Sequence, residues 1–123
     1  MKLDLKKGEI LLKEGRANHW KGIEAVGGRL FLTDHRLVFK PHSFNIQIRE
    51  ESISLDQIVS IKPNRTFFVL PNQISVELAN GKEERFVVWN RKKWMEEIEQ
   101  RKKKMPQKND NDYLRDGSPD KII

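Results

Sequence analysis

Cysteine is absent from the 123 residues. That excludes disulfides and thiolate metal sites, and it fits a reducing compartment. No apolar run approaches the roughly 20 residues that would span a bilayer. Met1-Lys2-Leu3-Asp4-Leu5 has no apolar stretch behind it, so no secretory signal is read there. The expectation is a cytoplasmic protein, at most peripheral at the inner face of the membrane.

Other signatures are also missing. The three histidines, His19, His35 and His42, are scattered without ligand spacing, so no metal site is expected. Gly27-Gly28 alone is not a phosphate-binding glycine loop. Asp34 reads as a turn residue and Asp56 as a local cap, and no second carboxylate completes an acid/base pair. No nucleophile, base and orienter form a trio, so the chain is not read as an enzyme, and neither cofactor nor small-molecule substrate is expected. No aromatic stacking platform stands outside the presumed core, which argues against nucleic acid.

What is present is short apolar elements and positive charge. Hydrophobic residues make up 37% and charged residues 34%, so the core must come from brief, well-placed segments. The length suits one domain, which at this size buries about two thirds of its unfolded surface. The net charge of +6 is uneven. After Met105, three cations face four carboxylates, so residues 105–123 carry −1 and the rest carries +7. Such a balance favours anionic partners.

Two apolar runs, Arg29–Thr33 and Arg36–Lys40, are separated only by Asp34-His35. A two-residue connection predicts a tight antiparallel hairpin, and Asp34 tolerates the left-handed conformation of such a corner. Gly27-Gly28 reads as another sharp turn. Upstream, residues 1–7 read as a polar lead-in, 9–14 as a strand and 15–18 as a loop holding Arg16. Residues 19–26 read as a second strand, bent at Gly22. Downstream, Phe44, Ile46 and Ile48 alternate with polar residues, and 52–55 forms another short strand. Leu55-Asp56-Gln57-Ile58 resembles one helical turn leading into 59–62. Phe67–Leu70 is a compact apolar run. Residues 73–79 and 83–89 form a second hairpin about Asn80-Gly81, a strong turn signal.

After Asn90, a good N-cap, the period changes. Arg91–Lys104 holds helix formers without Gly or Pro, and Trp94, Met95 and Ile98 make one apolar face. Pro106 ends the helix. The tail from 105 to 123 is polar, lacks a pattern and reads as disordered. Trp20, Trp89 and Trp94 read as core. About seven short antiparallel strands must close on themselves or form two packed sheets. One terminal helix would then cover the open end. The pattern predicts a mainly β protein, an antiparallel barrel or sandwich with one C-terminal capping helix.

At this point the chain resembles a GRAM domain, within the pleckstrin-homology-like superfamily. The likeness is carried by Gly8-Glu9, by Glu24-Ala25-Val26-Gly27-Gly28 and by Leu30-Phe31-Leu32-Thr33-Asp34-His35-Arg36-Leu37-Val38-Phe39. Leu55-Asp56-Gln57-Ile58, Asn80-Gly81 and Phe86-Val87-Val88-Trp89 complete it. It covers about residues 8–100, and a domain over 8–104 is expected. The resemblance implies two near-orthogonal antiparallel sheets closed by a helix, in a free-standing, bacterial-type member. It also implies a non-catalytic module for phosphoinositides, other anionic lipids or membrane surfaces. The alternative is an adaptor that holds a protein partner's peptide at the barrel edge or beside the helix.

Candidate contacts follow, each with a plainer reading beside it. Lys13, Arg16, His19 and Lys21 flank the first inter-strand loop, where the resemblance implies a lipid phosphate and the plain reading is a solvated loop. Lys40, His42 and Arg49 surround Phe44, which either inserts at a membrane or packs on the barrel. Arg91, Lys92 and Lys93, with Arg101, Lys102, Lys103 and Lys104, are the densest cations. They either meet an anionic surface or complement the helix dipole as a solvated end.

Overall fold

The structure, a computed structural model, describes residues 2–43, 50–63 and 72–104. Among them are seven strands, one 3-10 turn and one α-helix. These are β1 (Leu11–Lys21), β2 (Glu24–Thr33), β3 (Arg36–Pro41), β4 (Glu51–Ser54), the turn Leu55–Gln57, β5 (Ile58–Pro63), β6 (Gln73–Leu78), β7 (Glu83–Val88) and α1 (Arg91–Lys104). The anticipated segments at 44–48 and 67–70, and the tail, lie outside the described residues.

The strands form one antiparallel sheet in the order β4-β3-β2-β1-β7-β6-β5. It is a single ladder rather than two separate sheets, because Ala17–Trp20 of β1 pair with both β2 and β7. Its outer strands, β4 and β5, are joined only by Leu55–Gln57. The sheet therefore has to curl until its edges meet. The 3-10 turn is stitched to both halves. Leu55 N–H donates to the His35 carbonyl at 3.0 Å, and Ala79 N–H to the Gln57 carbonyl at 2.8 Å.

Apolar residues at alternate positions line the inside of the curl: Leu30 and Leu32 of β2, Leu37 and Phe39 of β3, Ile74 and Val76 of β6, Phe86 and Val88 of β7. The helix fills the opening with Trp94 and Ile98, both buried. The Trp94 ring reaches β1, lying close to Gly15 and 5.1 Å below the Lys13 ammonium. On the outer face of β2 and β3, Phe31 and Val38 are also buried. The N-terminal segment crosses that face. Its Lys2 and Asp4 carbonyls accept hydrogen bonds from Lys40 and Arg36.

Several local expectations need correcting. Residues 15–18 are not a loop but the middle of β1, paired with Leu30, Arg29, Gly28 and Gly27. Gly15 and the polar Arg16 and Asn18 suggested a break, yet alternation runs through them, with Ala17 and His19 turned inward. The β1–β2 turn is Gly22-Ile23, with Gly22 at φ +63°. Gly27-Gly28 lies inside β2. Gly28 is there because the backbone of β3 approaches closely: a Cβ would sit 2.7 Å from Phe39 Cζ and 2.8 Å from Pro41 Cα. The Asp34-His35 turn stands, but Asp34 is not left-handed. Among the described residues, only Asn72 and Asn90 are non-glycines with positive φ. Asp34 instead accepts the Ile10 N–H at 2.9 Å, and Thr33 Oγ1 accepts both the His35 and the Arg36 N–H. Trp89 is not core but 66% exposed, since β7 ends at Val88 and alternation turns position 89 outward. Trp20 is only half-buried, on the outer face. The second hairpin is as anticipated, with Gly81 at φ +90°.

Gly28→Ala is expected to lower stability by about 1–3 kcal/mol through overpacking. Gly15→Ala, whose Cβ would meet Trp94 at an ordinary 3.6 Å, should change it by no more than about 0.5 kcal/mol. Urea unfolding midpoints of the two variants test the difference.

Candidate anion-binding surface

Inward alternation on β1 carries a titratable side chain, His19, into the core beside Ala17. The imidazole is 1% exposed. It stacks on Phe86, with centroids 4.7 Å apart, and meets Phe39 edge-on. Nε2 lies 2.7 Å from Glu84 Oε1 of β7, and Nδ1 lies 3.4 Å from Glu51 Oε2 of β4. The second distance is an ion pair rather than a good hydrogen bond. Lys21 adds a contact to Glu51 at 2.5 Å.

Burial disfavours the imidazolium, but Glu51 and Glu84 outweigh it and raise the His19 pKa above its ordinary 6.5. The interaction with His19 outweighs burial and, with Lys21, holds the Glu51 carboxyl down to about 2. Donor atoms of His19, Glu51 and Glu84 lie within 4.8 Å of one another, as they would around a small cation. The two ring nitrogens, however, point to different carboxylates, and Lys21 balances the second one. With the ring protonated, two cations face two carboxylates and the network is neutral. It crosses the inside of the curl, joining β4 to β7.

A second buried pair closes the other end. Arg36 donates to both oxygens of Glu9, from Nε at 2.7 Å and from a terminal nitrogen at 3.1 Å. Thr33 Oγ1 donates to Glu9 at 2.6 Å, and the Lys6 N–H at 2.8 Å. The Arg36 hydrogen bonds outweigh burial and, with these donors, lower the Glu9 pKa to about 2. Beside this pair is a pocket of about 350 Å³ lined by Lys6, Lys7, His35, Arg36, Ser52 and Ser54. Sequence reading missed it, because its cations come from two segments far apart in the chain, Lys6-Lys7 and His35-Arg36. Asp34, Glu50 and Asp56 stand near the same residues, and Arg36 is already held by Glu9.

The cations singled out from sequence do not converge. Lys13 covers Trp94. Arg16 is exposed on the outer face. His19 and Lys21 belong to the carboxylate network, and Lys40 is held by the Lys2 carbonyl at 2.6 Å. Arg49 lies outside the described residues. On the sheet, Arg29 is also matched, by Glu14 at 3.0 Å. On the helix, Arg91 donates to the Gln73 carbonyl and Lys102 to that of Val59. Arg101 is half-buried, and its Nε is buried without a hydrogen-bond partner. Lys92, Lys93 and Lys103 are exposed, Lys93 with Glu97 at 3.5 Å. Lys104 closes the helix. The densest run of cations is on α1, while exposed cations also stand singly at Arg16, Lys62 and Lys82 and in the N-terminal segment at Lys2, Lys6 and Lys7.

Stability should follow the two networks. Folding favours the imidazolium of His19, so its stabilisation is complete below pH 6.5 and is lost as pH rises through the raised value. Folding favours ionised Glu9 and Glu51, so theirs is complete above pH 4.5 and is lost as pH falls towards 2. Melting temperature against pH should therefore peak between these limits. His19→Gln should flatten the alkaline fall while the acid fall set by Glu9 remains.

Comparison with known proteins agrees with this architecture. The family model described as GRAM domain matches residues 1–109. A search of curated protein sequences returns no match. Among solved structures, the C-terminal domain of an unknown protein from Leishmania infantum is 22% identical with a TM-score of 0.69, covering 80% of this chain and 88% of that one. The Vps36 N-terminal PH domain is 14% identical with a TM-score of 0.64, covering 80% and 83%. A DH/PH fragment of PDZRHOGEF, solved in complex with human RhoA, is 12% identical with a TM-score of 0.65. There the match covers 79% of this chain and 30% of that one. At such identities the likeness shows the fold alone. The fold is pleckstrin-homology-like, and the chain belongs to the GRAM domain family.

Proposed function

We propose that this GRAM domain is a non-catalytic module that docks on anionic lipid headgroups at a membrane surface, acting at the inner face of the membrane. Among the described residues, no helix is long and apolar enough to cross a bilayer, so the association proposed is peripheral. The observation that carries the reading is the distribution of unmatched charge. The cations of the sheet are largely engaged: Lys21 with Glu51, Arg29 with Glu14, Arg36 with Glu9. Residues 91–104 hold seven cations against three carboxylates; Lys92 and Lys103 face solvent, as does Lys93 beside Glu97. A Lys or Arg near an anionic bilayer gains about 1 kcal/mol. A few such residues on one helix suffice for reversible attachment.

A second reading has its own observation. A shallow groove of about 580 Å³ runs between Pro63 of β5 and α1, lined also by Arg91, Lys92, Met95, Glu96, Glu99 and Lys103. Its apolar floor and mixed charge suit a peptide, and the domain would then act as an adaptor. A stoichiometric partner that is insensitive to lipid and lost on Met95→Lys supports that alternative.

Cosedimentation with vesicles tests the main reading. Recovery should rise with the phosphatidylserine content of phosphatidylcholine vesicles and fall with added salt. Replacing Lys92, Lys93 and Lys103 by Gln should weaken binding by about fivefold per residue. Equal recovery on neutral and anionic vesicles overturns it.

A further inference from the structure

Trp89 is 66% exposed, although composition places it in an apolar run. Its position is fixed from both sides. In β7, Phe86 and Val88 are buried inside the curl, so the next side chain projects outward. Val88 is paired with Ala17 of β1. Carried one step past that last pair, the register sets Trp89 opposite Arg16, which faces outward. On the other side, Asn90 takes φ +59° and its carbonyl accepts the Lys93 and Trp94 N–H groups. The chain thus turns directly from Trp89 into Arg91, Lys92 and Lys93. Arg91 is anchored on the Gln73 carbonyl at 3.2 Å, which fixes the corner.

By register and chain order, the cations nearest Trp89 are Arg16 of β1 and Arg91, Lys92 and Lys93 of α1. An indole prefers the boundary between hydrocarbon and water, where its ring is partly dehydrated and its N–H stays wet. Cations around it meet lipid phosphates at the same depth. The more exposed Ile23, at 92%, offers the contrasting case. It sits at the β1–β2 tip between Lys21, already bound to Glu51, and the exposed carboxylate of Glu24. That tip has an apolar residue without free positive charge.

We infer that the corner between β7 and α1 is the face that meets an anionic bilayer, with Trp89 seated among the headgroups and Arg16, Lys92 and Lys93 on the surrounding phosphates. This rests on the membrane reading and goes further, since it fixes which face touches the lipid and leaves the β1–β2 tip in water.

The full chain is mixed with phosphatidylcholine vesicles containing phosphatidylserine, with and without brominated acyl chains. Tryptophan emission should shift to shorter wavelength on binding and be quenched by the brominated lipid. Trp89→Phe should abolish the shift. Trp89→Ala should weaken cosedimentation by about tenfold or more, since the ring's burial in the interface is lost. Its melting temperature should match the parent, because the side chain packs little. Ile23→Ser should leave binding unchanged. If vesicles bind while emission is unaltered, and Ile23→Ser rather than Trp89→Ala releases the protein, the assigned face is wrong although the membrane reading stands. If anionic vesicles recover no more protein than neutral ones, the membrane reading itself fails, and a protein partner becomes the occupant of the Trp89 corner.

Discussion

The outer strands of this sheet, β4 and β5, are consecutive in the chain and only three residues apart. A flat sheet would hold its first and last strands far apart, so this link forces the sheet to roll. Rolling creates an inside, and apolar alternation in β2, β3, β6 and β7 fills it. It also leaves an opening, which the indole of Trp94 and the side chain of Ile98 cover. The closeness of the Trp94 ring to Gly15 shows how far the helix reaches across the curl. The helix is held by that packing, because a 14-residue segment has marginal stability alone.

The roll also dictates where polar groups end up. Glu51 in β4 and Glu84 in β7 belong to strands far apart in sheet order, yet both reach His19. The buried imidazole between them is held by Glu84 at 2.7 Å, by Glu51 at 3.4 Å and by stacking on Phe86. The Glu9–Arg36 pair fastens the N-terminal segment at the other end in the same way, with both carboxylate oxygens satisfied. Breaking either pair would leave a buried charge without a partner, which is more damaging than the pair is stabilising. These networks have a functional consequence. They engage Lys21 and Arg36 internally, whereas Lys92 and Lys103 of α1 and Arg16 of β1 stay exposed.

Within this arrangement, Trp89 and Trp94 have opposite fates five residues apart. Trp94 points into the curl and stabilises it. Trp89 points away from it, because β7 has ended and the left-handed Asn90 begins a new direction. A short change of backbone thus leaves an aromatic residue exposed instead of in the core.

Much of the architecture was legible in the chain. The Asp34-His35 and Asn80-Gly81 hairpins, the helical turn at Leu55, and the helix with its Trp94 and Ile98 face all depend on near neighbours, so local pattern carries them. Resemblance to the GRAM family added how the pieces assemble. The site was far less legible. His19 reads as the start of a separate strand beside a loop until β1 is known to run unbroken through Gly15. Its partners lie 32 and 65 positions away in sequence, and no local signal names them. Gly28 looked like a turn because glycine is needed for two different reasons, and only the approach of β3 tells which one applies.

The sequence by itself determined the elements, since periodicity, turn chemistry and capping act within a few residues. The tertiary structure alone decided which cations are matched by carboxylates and which face outward. Those outcomes depend on distances between strands that only the roll of the sheet brings together.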